Sequence, residues 1–131
     1  MKVNLIKTKD FYSTMKDWCE GHNFPHISPS MLPDTTFICY NDKGEQAYSI
    51  CFYNTDSGIA WIGWELSNPK LSKEDKEGCF DYLIEKVEEY SKLSGYHIVF
   101  TTSNTPPVED LLKGRNYSTG DVNVNHYLKF I

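Results

Sequence analysis

The stretch IAWIGWELSNPKLSKEDKEGCFDYLIEKVEEYSKLSG, residues 59–95, decides how the chain reads. Residues 59–66 form an aliphatic and aromatic run carrying Trp61 and Trp64, which predicts a strand. Pro69 closes it, because proline cannot continue a central ladder. Ser72 with Asp75 three residues on resembles a capping box, and Gly95 supplies a stop. Between them Phe80, Leu83, Ile84, Val87 and Tyr90 fall at i, i+3, i+4, i+7 and i+10. Glu85, Lys86, Glu88 and Glu89 cover the other side, so the segment is an amphipathic helix. Residues 97–102 read as a strand, which a helix after the preceding strand places parallel to it.

Working outward, residues 36–40 and 46–53 are β-rich and are followed by turn signals at 41–44 and 55–58. With 59–66 they make two consecutive hairpins, an antiparallel meander. Upstream, residues 3–6 predict a first strand. Phe11, Met15, Trp18 and Cys19 then share one helical face, with Thr8 or Asp10 to cap it and Gly21 to stop it. Pro25, Pro29 and Pro33 make residues 22–33 an ordered irregular connection. Downstream, Pro106 and Pro107 open a short helix through Leu112, and residues 122–130 read as a final strand. The order β-α-β-β-β-α-β-α-β predicts an α/β (α+β) domain over residues 1–131. Its centre is a mixed, mainly antiparallel sheet flanked by helices.

Composition narrows the functions. The chain has 131 residues, 40% of them hydrophobic, with seven Phe, nine Tyr and three Trp, ample material for a core. A net charge of −5 argues against a protein that holds duplex DNA by neutralising phosphates. No apolar run approaches the ~20 residues that span a bilayer, and the apolar stretch at the start is too short for a signal peptide, so a cytoplasmic protein is expected. Cys19, Cys39, Cys51 and Cys79 form no CxxC pair and read as small buried hydrophobes. His22, His26, His97 and His126 lack the i, i+4 spacing of a zinc site, so no metal is expected, and His126 reads as structural. No Gly-x-Ser-x-Gly elbow supports a serine hydrolase.

The element order, with a helix opening after the third meander strand, resembles the GNAT (GCN5-related N-acetyltransferase) fold. Ser103-Asn104 falls where that family carries an Asn after its fifth strand, and Asn116-Tyr117 falls where Gly-Phe opens its sixth. Asn68-Pro69 and the ending His126-Tyr127-Leu128-Lys129 are similar to small phage and bacterial members. The family usually shows Arg/Gln-x-x-Gly-x-Gly/Ala at the start of its main helix. Lys73-x-x-Lys76-x-Gly78 keeps that spacing with two lysines, and Asp75-x-x-Gly78 is an alternative register.

The resemblance implies acetyl-CoA as co-substrate and an amine as acceptor. The physical basis for the first is a helix N-terminus, whose unpaired N–H groups and partial positive charge favour a pyrophosphate. The pyrophosphate is expected at Lys73, Lys76 and Gly78. Pantetheine is expected along the splay between the third meander strand and the strand after the helix, paired with the backbone of Leu66 and Ser67, with Asn104 beside it. The same segment reads equally as a solvated first turn, because Glu74, Asp75 and Glu77 stand among the lysines.

Glu65, between Trp64 and Leu66, is the candidate base in an apolar setting that raises its pKa; the alternative is an outward, solvated Glu at the strand end. The family's usual acid, a Tyr, falls on Leu112, which cannot donate a proton; Tyr117, Tyr127 or a cysteine are substitutes. Trp61 and Trp64 have opposite strand parity, which predicts one in the core and one on an acceptor surface. Two functions are carried forward: an N-acyltransferase acting on a small-molecule or protein amine, and a non-catalytic binding protein on the same fold, phage-encoded and acting on a host protein. The resemblance also implies a homodimer joined through C-terminal strands.

Overall fold

The structure, a computed structural model of the chain, describes residues 1–103 and 105–131. β1 (Lys2–Lys7) runs directly into α1 (Thr8–Gly21), and the irregular stretch that follows contains one 3-10 turn at Pro29–Met31. β2 (Thr35–Tyr40), β3 (Gln46–Tyr53) and β4 (Ile59–Ser67) form the meander. Then come α2 (Lys73–Lys76), α3 (Cys79–Leu93), β5 (Ile98–Phe100) and α4 (Pro106–Gly114). The strands lie in the order β1-β2-β3-β4-β5. All neighbours are antiparallel except β4 and β5, which are parallel, so the expected mixed, mainly antiparallel sheet is present.

Strand alternation divides the core into two layers. Phe37, Cys39, Ile50, Phe52, Ala60 and Ile62 meet Leu83, Ile84 and Val87 of α3 on one face. Ile38, Cys51 and Leu66 meet Phe11, Met15, Trp18 and Cys19 of α1 on the other. All four cysteines are buried free thiols.

The helix ends depart from the sequence reading. Neither Thr8 nor Asp10 caps α1; the cap position is Lys7, without a side-chain bond. Thr8 instead donates its N–H to the Asp34 carbonyl at 2.8 Å and pairs its hydroxyl with that of Thr36 at 2.8 Å, docking the helix start on β2. Gly21 is not the stop. Asn23, at φ 57°, takes the left-handed position, with Phe24 N–H bonded to Cys19 C=O and Asn23 N–H to Glu20 C=O. Gly21 has another role: a Cβ there would lie 2.4 Å from Pro69 Cγ, so its bare backbone lets α1 touch the end of β4. Gly95 closes α3 in the same way, at φ 89°, as expected.

The helix expected from Ser72 to Gly95 is two. Ser72 does cap the first, accepting from Asp75 N–H at 3.1 Å, but the helix is interrupted at Glu77 and Gly78, the latter at φ 75°, and α3 starts at Cys79. β5 is shorter than the 97–102 run. The final strand expected at 122–130 is absent: residues 118–131 are exposed and irregular. Alternation there specifies a half-buried face, but a strand also needs a backbone partner, and the segment pairs with none of the described strands although the outer edges of β1 and β5 are open.

Candidate active site

β3 and β4 pair in one register up to Cys51↔Gly63 and in another from Ser49↔Leu66. Ile50 therefore faces two residues, Trp64 and Glu65, a bulge that leaves Trp64 in the left-handed region at φ 55°. A bulky side chain there stores of order 1 kcal/mol or more of backbone strain. The bulge also resets side-chain parity. Ala60 and Ile62 point to the α3 face, whereas Leu66, of the same numerical parity, points to the α1 face. This overturns the expected split of the tryptophans. Trp61 and Trp64 lie on one face, and both are exposed, at 44% and 38%. Trp64 Nε1 donates to Tyr53 Oη at 2.7 Å, and Trp61 packs tilted against the Tyr53 ring at 5.9 Å.

β4 and β5 pair only from Ile59↔Ile98 to Trp61↔Phe100. Beyond that the parallel strands part, so β4 from Ile62 to Ser67 has no strand on that side among the described residues. Glu65 lies on this edge, half-buried, and burial raises its carboxyl pKa above the usual value, opposed by a bond from its own backbone N–H. Leu66 is buried and Ser67 half-buried. The Ser67 carbonyl lies 2.8 Å from His22 Nε2; a carbonyl only accepts, so that nitrogen carries the proton. Asn68 turns the chain out of β4, giving its side-chain N–H to Gln46 C=O and taking Lys70 N–H on its Oδ1.

The edge runs into a cleft of about 490 Å³ lined by Tyr48, Lys73, Lys76, Gly78, Phe80 and Leu111, together with Glu74, Glu77 and Asp81. Tyr48 is the cross-strand partner of Ser67, so the edge and the cleft are continuous. Lys73, Lys76 and Gly78 are thus brought together at the start of α3. Two of the acids are neutralised. Asp75 is outside the cleft wall, held by Lys43 Nζ at 2.9 Å, which keeps its carboxyl below the ordinary pKa. Asp81 accepts from Arg115 at 3.0 Å, and Arg115 forks onto both oxygens of Glu88 at 3.0 and 2.8 Å. Glu74 and Glu77 make no ion pair among the described residues.

The remaining site residues fall as follows. Asn104 lies outside the described residues. Leu112 is buried under the end of α4, where Asn116 at φ 67° and the bond from Tyr117 N–H to Leu112 C=O close the helix. Tyr117 Oη donates to Glu88 at 3.1 Å; burial, then that carboxylate, raise its pKa. Burial pushes the Cys39 thiol up to about 12 and Cys51 to about 11. His126 and Tyr127 are in the exposed segment, so His126 has no packing role. Tyr48, Phe80, Leu111 and His22 were not singled out from the sequence as site residues. Tyr48 was legible only as the strand partner of a residue on the third meander strand, and that pairing depends on the bulge.

No protein-family model matches the chain, and no curated protein matches it in sequence. Solved structures do match in fold. An acetyltransferase from Trypanosoma brucei is 13% identical, with 97% of this chain and 99% of that one covered at a TM-score of 0.63. An aminoglycoside acetyltransferase from an uncultured soil metagenomic sample, in complex with sisomicin, is 13% identical, covering 99% and 95% at 0.67. An aminoglycoside N-acetyltransferase in complex with CoA is 15% identical, covering 98% and 93% at 0.65. The chain has the fold of the GNAT acetyltransferases.

Proposed function

We propose that the chain is an N-acyltransferase that moves an acetyl group from acetyl-CoA to an amine. The observation that carries this reading is the unpaired, bulged edge of β4 beside Glu65, leading without interruption into the cleft at the start of α3. Pantetheine would lie along Leu66 and Ser67 as an added strand does, with Asn104 beside it. The pyrophosphate would rest on the first-turn N–H groups after Gly78, with Lys73 and Lys76 as point charges. The capture of Asp75 by Lys43 favours the register that starts at Lys73.

In the reaction the amine nitrogen bonds to the thioester carbonyl carbon and the C–S bond breaks. The amine proton passes to the Glu65 carboxylate, directly or through water, and the departing thiolate takes a proton from solvent. Leu112 is apolar and Tyr117 is committed to Glu88, so neither supplies that proton. The reading places the chain in a cytoplasm, where acetyl-CoA is made and used. It also pairs two copies through the exposed segment 118–131 as a homodimer.

Calorimetric titration with acetyl-CoA, with CoA alongside, tests the proposal. Micromolar binding that Lys73→Glu with Lys76→Glu abolishes is the expected result. No heat and no thermal shift at millimolar ligand overturns it. Glu74 and Glu77 in the cleft wall and the missing Tyr at Leu112 would then favour the second reading, a phage-type binding protein that docks on a host protein.

A further inference from the structure

We propose that Tyr53 is the positioning residue of the base: its hydroxyl, clasped between the Trp64 indole N–H and the Met31 carbonyl, holds Trp64 in the left-handed conformation that sets where the Glu65 carboxyl sits. The role of Glu65 as base rests on the acyltransferase reading; the brace itself does not need the acyl donor.

Trp64 is the outlier that calls for a brace. Among the described residues four non-glycines take positive φ, and three of them, Asn23, Asn116 and Asn123, are asparagines outside any strand, the type that tolerates it. Trp64, at φ 55°, is bulky and lies within β4. Such a conformation persists only where the surroundings over-determine it. Here the surroundings are two hydrogen bonds in series: Trp64 Nε1 donates to Tyr53 Oη at 2.7 Å, and Tyr53 Oη donates to the Met31 carbonyl at 2.7 Å. The phenol accepts once and donates once, so each bond polarises the other.

The far end of this relay is a fixed post. Met31 closes the 3-10 turn, with its N–H on the Ser28 carbonyl and the Leu32 N–H on the Pro29 carbonyl. Pro29 and Pro33 restrict the backbone on either side. Tyr12 of α1 donates to the Ile27 carbonyl at 2.7 Å and pins the same connection to the helix. The near end is Glu65. The bulge takes a residue out of the ladder, and Glu65 turns its backbone N–H onto its own carboxylate. That N–H lies in the plane of the Trp64–Glu65 peptide, so the conformation of Trp64 aims it. Among the described residues no other ionisable group shifts the Glu65 carboxyl.

The test is the titration of the Glu65 carboxyl, followed by its carbon-13 resonance in the free protein and identified by its loss in Glu65→Gln. Tyr53→Phe keeps the ring against Trp61 and removes only the hydroxyl. Trp64 is then released, the Glu65 N–H leaves its carboxylate, and the midpoint should rise by about half a unit or more, because that bond favours the charged form. Glycine takes positive φ without cost, so Trp64→Gly keeps the bulge with no brace. In that background Tyr53→Phe should move the midpoint no further. An unmoved or lowered midpoint in Tyr53→Phe overturns the proposal. So does an equal rise in both backgrounds, the mark of a tyrosine that only supports the fold. Calorimetry with acetyl-CoA separates the two claims. Acetyl-CoA binding with an unmoved midpoint removes the brace and leaves the acyltransferase reading standing. A midpoint coupled to Tyr53 as expected, with no acetyl-CoA heat, does the reverse.

Discussion

Replacing Gly21 by Ala sets two effects of known size against each other. Helix propensity alone favours Ala by up to about 1 kcal/mol. Packing opposes it, because the added carbon would lie 2.4 Å from Pro69 Cγ and 2.9 Å from Pro69 Cβ. Restoring ordinary contact requires the proline ring and α1 to part by about 1 Å, and overpacking of this kind costs about 1–3 kcal/mol. With the mid-range packing cost of about 2 kcal/mol set against a gain of up to about 1, the net expectation is a loss of about 1–2 kcal/mol. For a chain of this length that lowers Tm by roughly 4–8 °C in a calorimetric scan. Pro69 lies in the turn that ends β4, and His22, next to Gly21, holds the Ser67 carbonyl, so the same displacement should weaken acetyl-CoA binding. Gly114→Ala is the control: it sits at the end of α4 with nothing within 4 Å of its would-be Cβ, so Tm should hold or rise. A Gly21→Ala protein as stable as wild type would refute the close-contact argument.

Further outcomes follow from the site. Glu65→Gln should lower turnover with acetyl-CoA affinity nearly intact and flatten the rising limb of the pH–rate profile; an unchanged rate retires Glu65 as base. Its pKa is raised on folding, so its stabilising contribution is complete below the ordinary carboxylate value and is lost as pH rises through the raised one; thermal scans of wild type and Glu65→Gln across that range should converge at the acid end. Arg115→Met should cost about 1–3 kcal/mol by leaving Glu88 unpaired. It should also weaken acetyl-CoA binding by freeing Asp81 in the cleft wall, which calorimetry would show. The four buried thiols should resist a disulfide reagent at pH 8 until the protein is denatured, since burial raises the pKa of each; fast labelling of the native protein would contradict their placement.

The sheet was legible because its signals are local. The meander strands announce themselves by composition between turn residues, and the helix at residues 79–93 by its apolar period. The site was legible only in part. Lys73, Lys76 and Gly78 share a short stretch, so spacing alone brought them together, whereas the break at Gly78 needed knowledge of a backbone angle. The bulge at Trp64–Glu65 is a property of pairing, invisible in a strand read by itself, and it reversed the parity argument for the tryptophans. The segment 122–130 failed for the complementary reason: alternation records what a strand would bury but not what it would pair with. Gly21 looked like a helix stop because its contact, Pro69, is distant in sequence.

The exposed segment 118–131 bears on how the protein behaves in a tube. Val122, Val124, Leu128 and Phe130 are all exposed, and Lys129 is the one Lys or Arg in the segment. An unpaired, exposed and apolar run invites association with other chains, so concentrated solutions should be prone to aggregate through it. It is equally open to proteases, and a cut after Tyr117 would spare every described residue of the cleft and the bulge.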